Sequence, residues 1–456
     1  MILTDLNPRG GIGASCHHLA IGSLNLVIDA GLNPTLLGNE CLPALDALRG
    51  IHLDLILLTH CHLDHVGALP VLLREHPEAK VLLSQPSHLL APRMLHNSCN
   101  IMGRLREDKG IPEYPLYSHR EVERAKKSMI PLLYGKPTSY ERNGTEITIT
   151  LHAGGHVPGA AGFHIRWGAH TFYATGDCLF TPQRILPGGT FPPAPCDALL
   201  METTRGATTR APETDRASEI NRLFETAFST LEAGGSVLIP TFAFGRMQEV
   251  FALLHDAKRA GNLPKVPIHA SGLGLDLADY FDEISRKLKA IDFRKSILKD
   301  LRVRPVPDDF HPGARNNGRR PTLYVLSSGM VMEHTPSYNA AACLLDNPAN
   351  AICFVGYCAP DTPGGKIQQG NHGDPFLFGT LDHESPRYAQ IHRFDLSSHA
   401  DREELLEQAT ALQPKTIVLA HGDPPARAWF TENFPTHLPQ SQVLDPAPLQ
   451  PVPLLP

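Results

Sequence analysis

The chain lacks several things that would settle its class at once. No run of roughly 18 apolar residues, the length that crosses a bilayer as a helix, occurs anywhere in it. Its opening, MILTDLNPRGG, has no basic segment followed by an apolar one. These absences predict a soluble, cytoplasmic protein with no export signal and no membrane partner. There is no Cys-x-x-Cys pair and the nine cysteines are an odd number, which argues against a disulfide framework and for reduced, mostly buried thiols. Nor is there a surplus of positive charge, since the formal charge is −6 and the pI is near 6.5. A nucleic-acid partner therefore needs a local cluster of cations rather than a basic chain. No internal repeat is visible.

What is present describes an ordinary globular chain, 42% hydrophobic and 19% charged, and 456 residues exceed one core, so two or three domains are expected. Short apolar runs ended by Gly, Asp or His read as strands at 24–31, 53–59, 80–84, 146–151 and 170–177. PALDALRG (43–50) and REVERAKKSMIPLLYG (120–135) read as helices between them, which argues a layered α/β fold. From about 206 to 390 the texture changes. Amphipathic helices at 214–235, 244–261 and 277–291 alternate with strands at 236–241, 265–272, 321–329 and 350–358, a second, doubly wound α/β unit. TIVLAHGD (416–423) returns to the first texture, and the Pro-rich tail from about 439 reads as a short edge strand or a polyproline-like end. LREDKGIPEY (105–114) reads as a solvated run of charge.

One stretch stands apart. LLTHCHLDHVG (57–67) finishes an apolar strand and then delivers His60, His62, Asp64 and His65 into the turn. His60 and His62, two apart, lean the same way from extended backbone, while Asp64 and His65 lie past the turn and are free to face a second ion. One metal takes three or four N/O ligands at roughly 2.0–2.2 Å, so four such groups over-supply a single open site and point to two. Further candidates sit at strand ends among small residues: His156 in HAGGHVPGAAG, Asp177 in FYATGDC and His421 in IVLAHGD. In a chain with 24 histidines each of these alone reads as readily as structural. Together they complete two sites whose N/O donors suit zinc, with Asp177 bridging, and the same donors admit manganese or iron.

HCHLDH matches the HxHxDH signature of the metallo-β-lactamase superfamily, Asp29 in VIDAGLNP its first motif, and His156 and Asp177 its third and fourth. The chain resembles that superfamily over nearly its whole length. The resemblance implies an α/β fold of the αββα sandwich type, one zinc held by His60, His62 and His156 and the other by Asp64, His65 and His421. Asp177 would bridge the two, and Asp29 would support the ligand loop from behind. The long segment between Asp177 and His421 resembles the insert of the β-CASP nucleases. Glu202 in METTRG matches their acidic motif A, His399 in DLSSHADREEL motif B, and His421 motif C. IPTFAFGRMQE (239–249) and SSGM (327–330) look like two further signatures of that group. The implied domains are a lactamase-like domain over 1–205 and 391–456 and an inserted β-CASP α/β domain over 206–390. Histidine at motif C resembles the RNA-acting members, such as the nuclease of the cleavage and polyadenylation specificity factor, where Artemis-type DNA nucleases usually carry valine. The third motif departs locally, reading AGGH before Val-Pro where relatives usually read AGH.

The implied activity is metal-dependent hydrolysis of phosphodiester bonds in single-stranded RNA, endonucleolytic, leaving 3′-hydroxyl and 5′-phosphate ends. In this reading Asp64 also orients the attacking water, His399 protonates the leaving oxygen, and Glu202 fixes the tautomer of His399. Taken alone, Glu202 reads as a cap or surface carboxylate and His399 as a neighbour of a helix start. Ser327, Ser328 and Gly329 after a strand, with Ser397 and Ser398, could offer backbone amides to a phosphate. Arg246 reads either as a phosphate contact or as a cap within its own domain. Between Arg286 and Arg320, 11 Lys/Arg against 4 Asp leave a local net charge of +7, an RNA-facing surface or a solvated face. Kept beside this reading are a 5′ exonuclease of the ribonuclease J type, a hydrolase of small thioesters or lactams, and a subunit that binds RNA without cutting it. A homodimer is admitted as an assembly.

Overall fold

Thr145–Ala153, TEITITLHA, shows why the first half of the chain builds a sandwich: Ile147, Ile149 and Leu151 are buried while the threonines between them are half-buried. Period-two alternation gives a sheet one apolar face, and that face must be covered. In this computed structural model, which describes residues 1–455 except 193–194, 211–213, 308–309 and 313–319, a second sheet covers it. The first sheet runs edge to edge through Val452–Pro453, Ile2–Asp5, His17–Ile21, Leu24–Ile28, Leu55–Leu57, Lys80–Ser84 and Met129–Leu132. The second runs through Gln442–Leu444, Thr416–Ala420, Ala198–Glu202, His170–Ala174, Ala161–Trp167, Thr145–Ala153 and Thr138–Arg142. Leu19, Leu26, Leu55 and Leu57 of the first meet Ile149, Phe163, Phe172 and Leu200 of the second in one core.

Helices close both outer faces. Gln85–Lys109 packs on the strands Lys80–Ser84 and Met129–Leu132. Arg402–Leu412 and Pro424–His437 bury Leu405, Leu412, Phe430 and Phe434 against Leu199, Met201, Ile417 and Leu419. The order is helix, sheet, sheet, helix.

The chain divides into two compact units, Met1–Thr209 with His399–Pro456, and Arg210–Ser398. The second unit is a five-stranded sheet in the order Ile268–Ser271, Leu323–Leu326, Val237–Pro240, Ala351–Phe354, Gln390–Arg393, all parallel. Its three central strands are buried along their whole length, as parallel strands covered on both faces must be.

Four differences from the sequence reading bear on the layout of the fold. The segment 120–135 is not one helix: His119–Ser128, closed by the Ser118–Glu121 capping box, gives way to the edge strand Met129–Leu132. Pro131, which cannot donate to a ladder, is tolerated there because the strand lies at a sheet edge. PALDALRG forms only one 3₁₀ turn, Leu45–Leu48, between Pro43 and Gly50. Gln85–Lys109, the longest helix among the described residues, has no counterpart in the sequence pattern, because Pro86 and Pro92 punctuate it; Ser84 caps its start and Gly110, at φ +66°, ends it, so that 105–109 of the charged run are its last turn. The sequence pattern returns from the insert at 391, whereas Gln390–Arg393 pairs with Ala351–Phe354 as an edge strand of the inserted sheet.

Candidate metal centre

Every candidate ligand of the first unit hangs from the carboxyl end of a strand. Asp29 follows Leu24–Ile28, His60 to His65 follow Leu55–Leu57, His156 follows Thr145–Ala153, Asp177 follows His170–Ala174, and His421 follows Thr416–Ala420. Two of these positions are backbone-strained. Asp29 at φ +60° and His421 at φ +46° occupy the left-handed region, which costs roughly 1–3 kcal/mol each and turns the chain sharply off the strand end. Gly31 lets the next loop close in, since a Cβ there would lie 1.7 Å from the carbonyl of Asp64. Three backbone hydrogen bonds then hold the turn Leu63–Val66: Ser15 N–H to Asp64 O, Ala30 N–H to His65 O and Leu32 N–H to Leu63 O, at 2.7–2.9 Å.

Two clusters result. His60, His62, His156 and Asp177 bring one ligand-type atom each within 4.8 Å of one another, as do Asp64, His65 and His421. In the first, Nδ1 of His62 lies 3.0 Å from Nε2 of His60 and 3.0 Å from Nε2 of His156. In the second, Nε2 of His421 lies 3.2 Å from Nε2 of His65 and 3.4 Å from Asp64 Oδ2. Asp177 stands between them, its Oδ2 being 3.6 Å from His60 Nε2 and 3.4 Å from His65 Nε2. Buried imidazole nitrogens gain little from each other, whereas a cation would take a lone pair from each. Their spacing is close to the roughly 3.3 Å edge of a tetrahedron with metal–nitrogen bonds of roughly 2.0–2.1 Å. The residues fit two metal ions.

The electrostatics lead the same way. Burial, reinforced by His65, pushes His60 well below the ordinary histidine range, so it stays neutral and keeps one ring nitrogen's lone pair free. Burial also opposes charge on His65, but Asp177, Asp29 and Asp64 outweigh it and hold that ring well above its ordinary range. Asp177 is buried too, yet His421 and His65 hold it far down as a carboxylate. Asp29 receives Nδ1–H of His65 at 2.7 Å and also accepts from the Thr59 amide at 2.7 Å, which leaves Nε2 of His65 facing the cluster.

His399 and Glu202 form a third group with Asp177. Glu202, 2% exposed, ends its strand; its Oε2 is 3.0 Å from Nδ1 of His399, and its Oε1 accepts the Cys178 amide at 2.7 Å. With the carboxylate so engaged, the other ring nitrogen of His399 points inward, 4.0 Å from Asp177 Oδ2. Burial works against its charge, but Glu202 and then Asp177 raise His399 above the ordinary histidine range. A protonated imidazole beside the clusters is a proton donor held in one orientation.

Two supporting residues were not legible in the sequence. The Thr204 hydroxyl lies 3.0 Å from Nδ1 of His421, and Thr59 ties Asp29 to the ligand loop. Neither falls on a periodic pattern, and only the folded strand ends bring them to their partners. Ser327, Ser328 and Gly329 follow the strand Leu323–Leu326 in the second unit, and Ser397 and Ser398 close that unit. The basic stretch is less unbalanced than its sequence suggests. Acids just upstream pair with three of its cations: Asp282 with Arg286, Glu283 with Lys287 and Asp279 with Lys295. Asp308, Asp309, Arg315 and Arg319 lie outside the described residues.

Three family models match the chain: the Metallo-beta-lactamase superfamily over residues 10–223, the Beta-Casp domain over 247–367, and the Zn-dependent metallo-hydrolase RNA specificity domain over 384–437. Transcription termination factor FttA of Pyrococcus horikoshii is 31% identical over 448 residues, 92% of this chain and 66% of that protein. FttA of Methanothermobacter thermautotrophicus is 29% identical over 443 residues, 92% and 67% of the two chains. Endoribonuclease YSH1 of Eremothecium gossypii is 26% identical over 434 residues, 92% of this chain but 54% of that one. The chain thus spans 66% of the Pyrococcus relative and 54% of the Eremothecium one. A crystal structure from Enterococcus faecalis, of a protein of unknown function, covers 99% of both chains at a TM-score of 0.53 and 12% identity, a likeness of fold.

Proposed function

The chain belongs to the metallo-β-lactamase superfamily with a Beta-Casp insertion, and from that premise we propose that it is a zinc-dependent endoribonuclease acting on single-stranded RNA. The observation that carries the reading is the pairing of two adjoining His/Asp clusters with a histidine locked by a buried glutamate. The match to an RNA specificity domain over 384–437, the segment that contains His399 and His421, supports RNA as the substrate. So do the names of the relatives, a transcription termination factor and an endoribonuclease.

His60, His62 and His156 would hold one ion and Asp64, His65 and His421 the other, with Asp177 shared. When bound, the ions supply Lewis acidity toward the scissile phosphate and make a water acidic enough to attack near neutral pH. The chain does the rest. Asp64 orients the attacking water. Asp29 and Thr204 each hold Nδ1 of a ligand ring, so that Nε2 is the nitrogen that faces inward. His399 gives the proton on Nε2 to the departing 3′ oxygen, and Glu202 stabilises the imidazolium until then and re-sets its tautomer afterwards. The products are a 3′-hydroxyl and a 5′-phosphate.

The test is cleavage of one internally labelled single-stranded RNA by the purified protein, with the matching DNA strand, a chelator control and Asp64→Ala alongside. Internal cuts in RNA alone, lost with chelator and in the variant, are expected. Mononucleotides released from the 5′ end would replace the reading with a 5′ exonuclease, and intact RNA with two metals bound would overturn it.

A further inference from the structure

Arg216 and Arg246 are the first residues of two helices of the inserted unit, Arg216–Glu232 and Arg246–Arg259. Arg246 is 6% exposed, and Glu249 on its own helix is fully buried. Glu249 is already engaged, because Nη2 of Arg216 donates to it at 3.1 Å. The groups that act on Arg246 are Arg216, which repels it, and Glu249 and Asp395, which attract it. Asp395 in turn accepts from Arg210 at 2.9 Å. Burial and Arg216 together pull the guanidinium of Arg246 down to about 9. Nη1 of Arg246 and Nε of Arg216 are both buried with no hydrogen-bond acceptor among the described residues. Three guanidiniums, of Arg210, Arg216 and Arg246, thus answer to two carboxylates, Glu249 and Asp395, and Arg216 and Arg246 retain two buried donors to spare. A buried water could accept those N–H groups but would bring no charge. An anion supplies both.

We propose that Arg246 and Arg216 form a phosphate seat in the inserted unit, which takes one backbone phosphate of the polynucleotide. This rests on the nuclease reading above. A phosphate oxygen accepts from a guanidinium in the charge-assisted geometry that arginine favours, and its charge answers the excess. Ser397, whose carbonyl accepts Nη1 of Arg216 at 3.0 Å, lies in the stretch 394–398, which is neither helix nor strand. Access therefore needs movement of irregular chain rather than the loss of an element.

The seat makes Arg246 a positioning residue whose removal has an unusual signature. A structural arginine destabilises the fold when lost; an arginine held without a full partner does not. The experiment compares Arg246→Gln and Arg246→Lys with the parent in a His399→Ala background, where the labelled strand is not consumed. It reads metal content, the thermal midpoint, and the binding of labelled single-stranded RNA across a salt series. Arg246→Gln should keep its metal, unfold at the same or a higher temperature, and bind RNA about ten-fold more weakly at low salt. Its slope of log affinity against log salt should shrink by about 0.7, one phosphate contact on a single strand, with Arg246→Lys in between. A lower midpoint with the slope unchanged would make Arg246 a structural cap and overturn the seat alone. A parent that binds no RNA would overturn the nuclease reading along with it.

Discussion

The two units each bury a polar cluster, and the clusters have opposite characters. In the first unit, His60, His62 and His156 bring ring nitrogens together beside Asp177, a surplus of lone pairs that suits a cation. In the inserted unit, Arg210, Arg216 and Arg246 answer to two carboxylates, Glu249 and Asp395, a surplus of positive charge that suits an anion. Interiors usually satisfy their polar groups locally, so a cluster that does not is informative about what it binds. The sign of the imbalance gives the sign of the partner.

The largest effect expected of the first cluster is on metal removal. Chelation should abolish RNA cleavage and lower the thermal midpoint, since metal binding to the folded state contributes stability. A midpoint that does not move would mean the histidines hold each other without an ion. His399→Ala comes next. Turnover should fall about 10²–10⁴-fold, the range of a general acid, with the metal content unchanged. Loss of metal in that variant would turn His399 into a ligand and merge the third group with the first two. Thr204→Val should weaken metal binding by roughly 10–100-fold, because Nδ1 of His421 loses its hydroxyl partner. A competition titration against a coloured chelator reads that directly.

The smallest effect is on pH. His399 is raised chiefly by Glu202 against the pull of burial, so its protonated form persists above the ordinary histidine range. Activity that depends on that proton should therefore decline on the alkaline side, as pH rises through the raised value. Glu202→Gln removes the main cause, so the decline should begin at lower pH. A profile whose alkaline limb stays in place would show that another group carries the proton.

Much of the first cluster was legible because its residues are crowded in sequence and punctuate strands. HCHLDH packs three imidazoles and a carboxylate behind an apolar run, and VLAHGD repeats the device with one. The Arg216–Arg246 cluster was half legible. GRMQE marked Arg246, but nothing in the chain set it beside Arg216, thirty positions earlier and on another helix. The long helix Gln85–Lys109 was hidden by its prolines, and Met129–Leu132 by the helix that runs straight into it.

By itself the sequence determined the strand ends that carry the clusters, the candidate ligands offered there, and the existence of an inserted α/β unit, because alternation, Gly–Asp–His punctuation and tight motif spacing are local properties of a chain. Only the tertiary structure decided which nitrogen of each ring faces inward, that Thr204 and Asp29 aim the ligands, and that Gln390–Arg393 belongs to the inserted sheet. It also left buried N–H groups of Arg216 and Arg246 without an acceptor among the described residues. Those outcomes depend on which strand lies beside which and on how much water burial removes, and neither is written in any one segment.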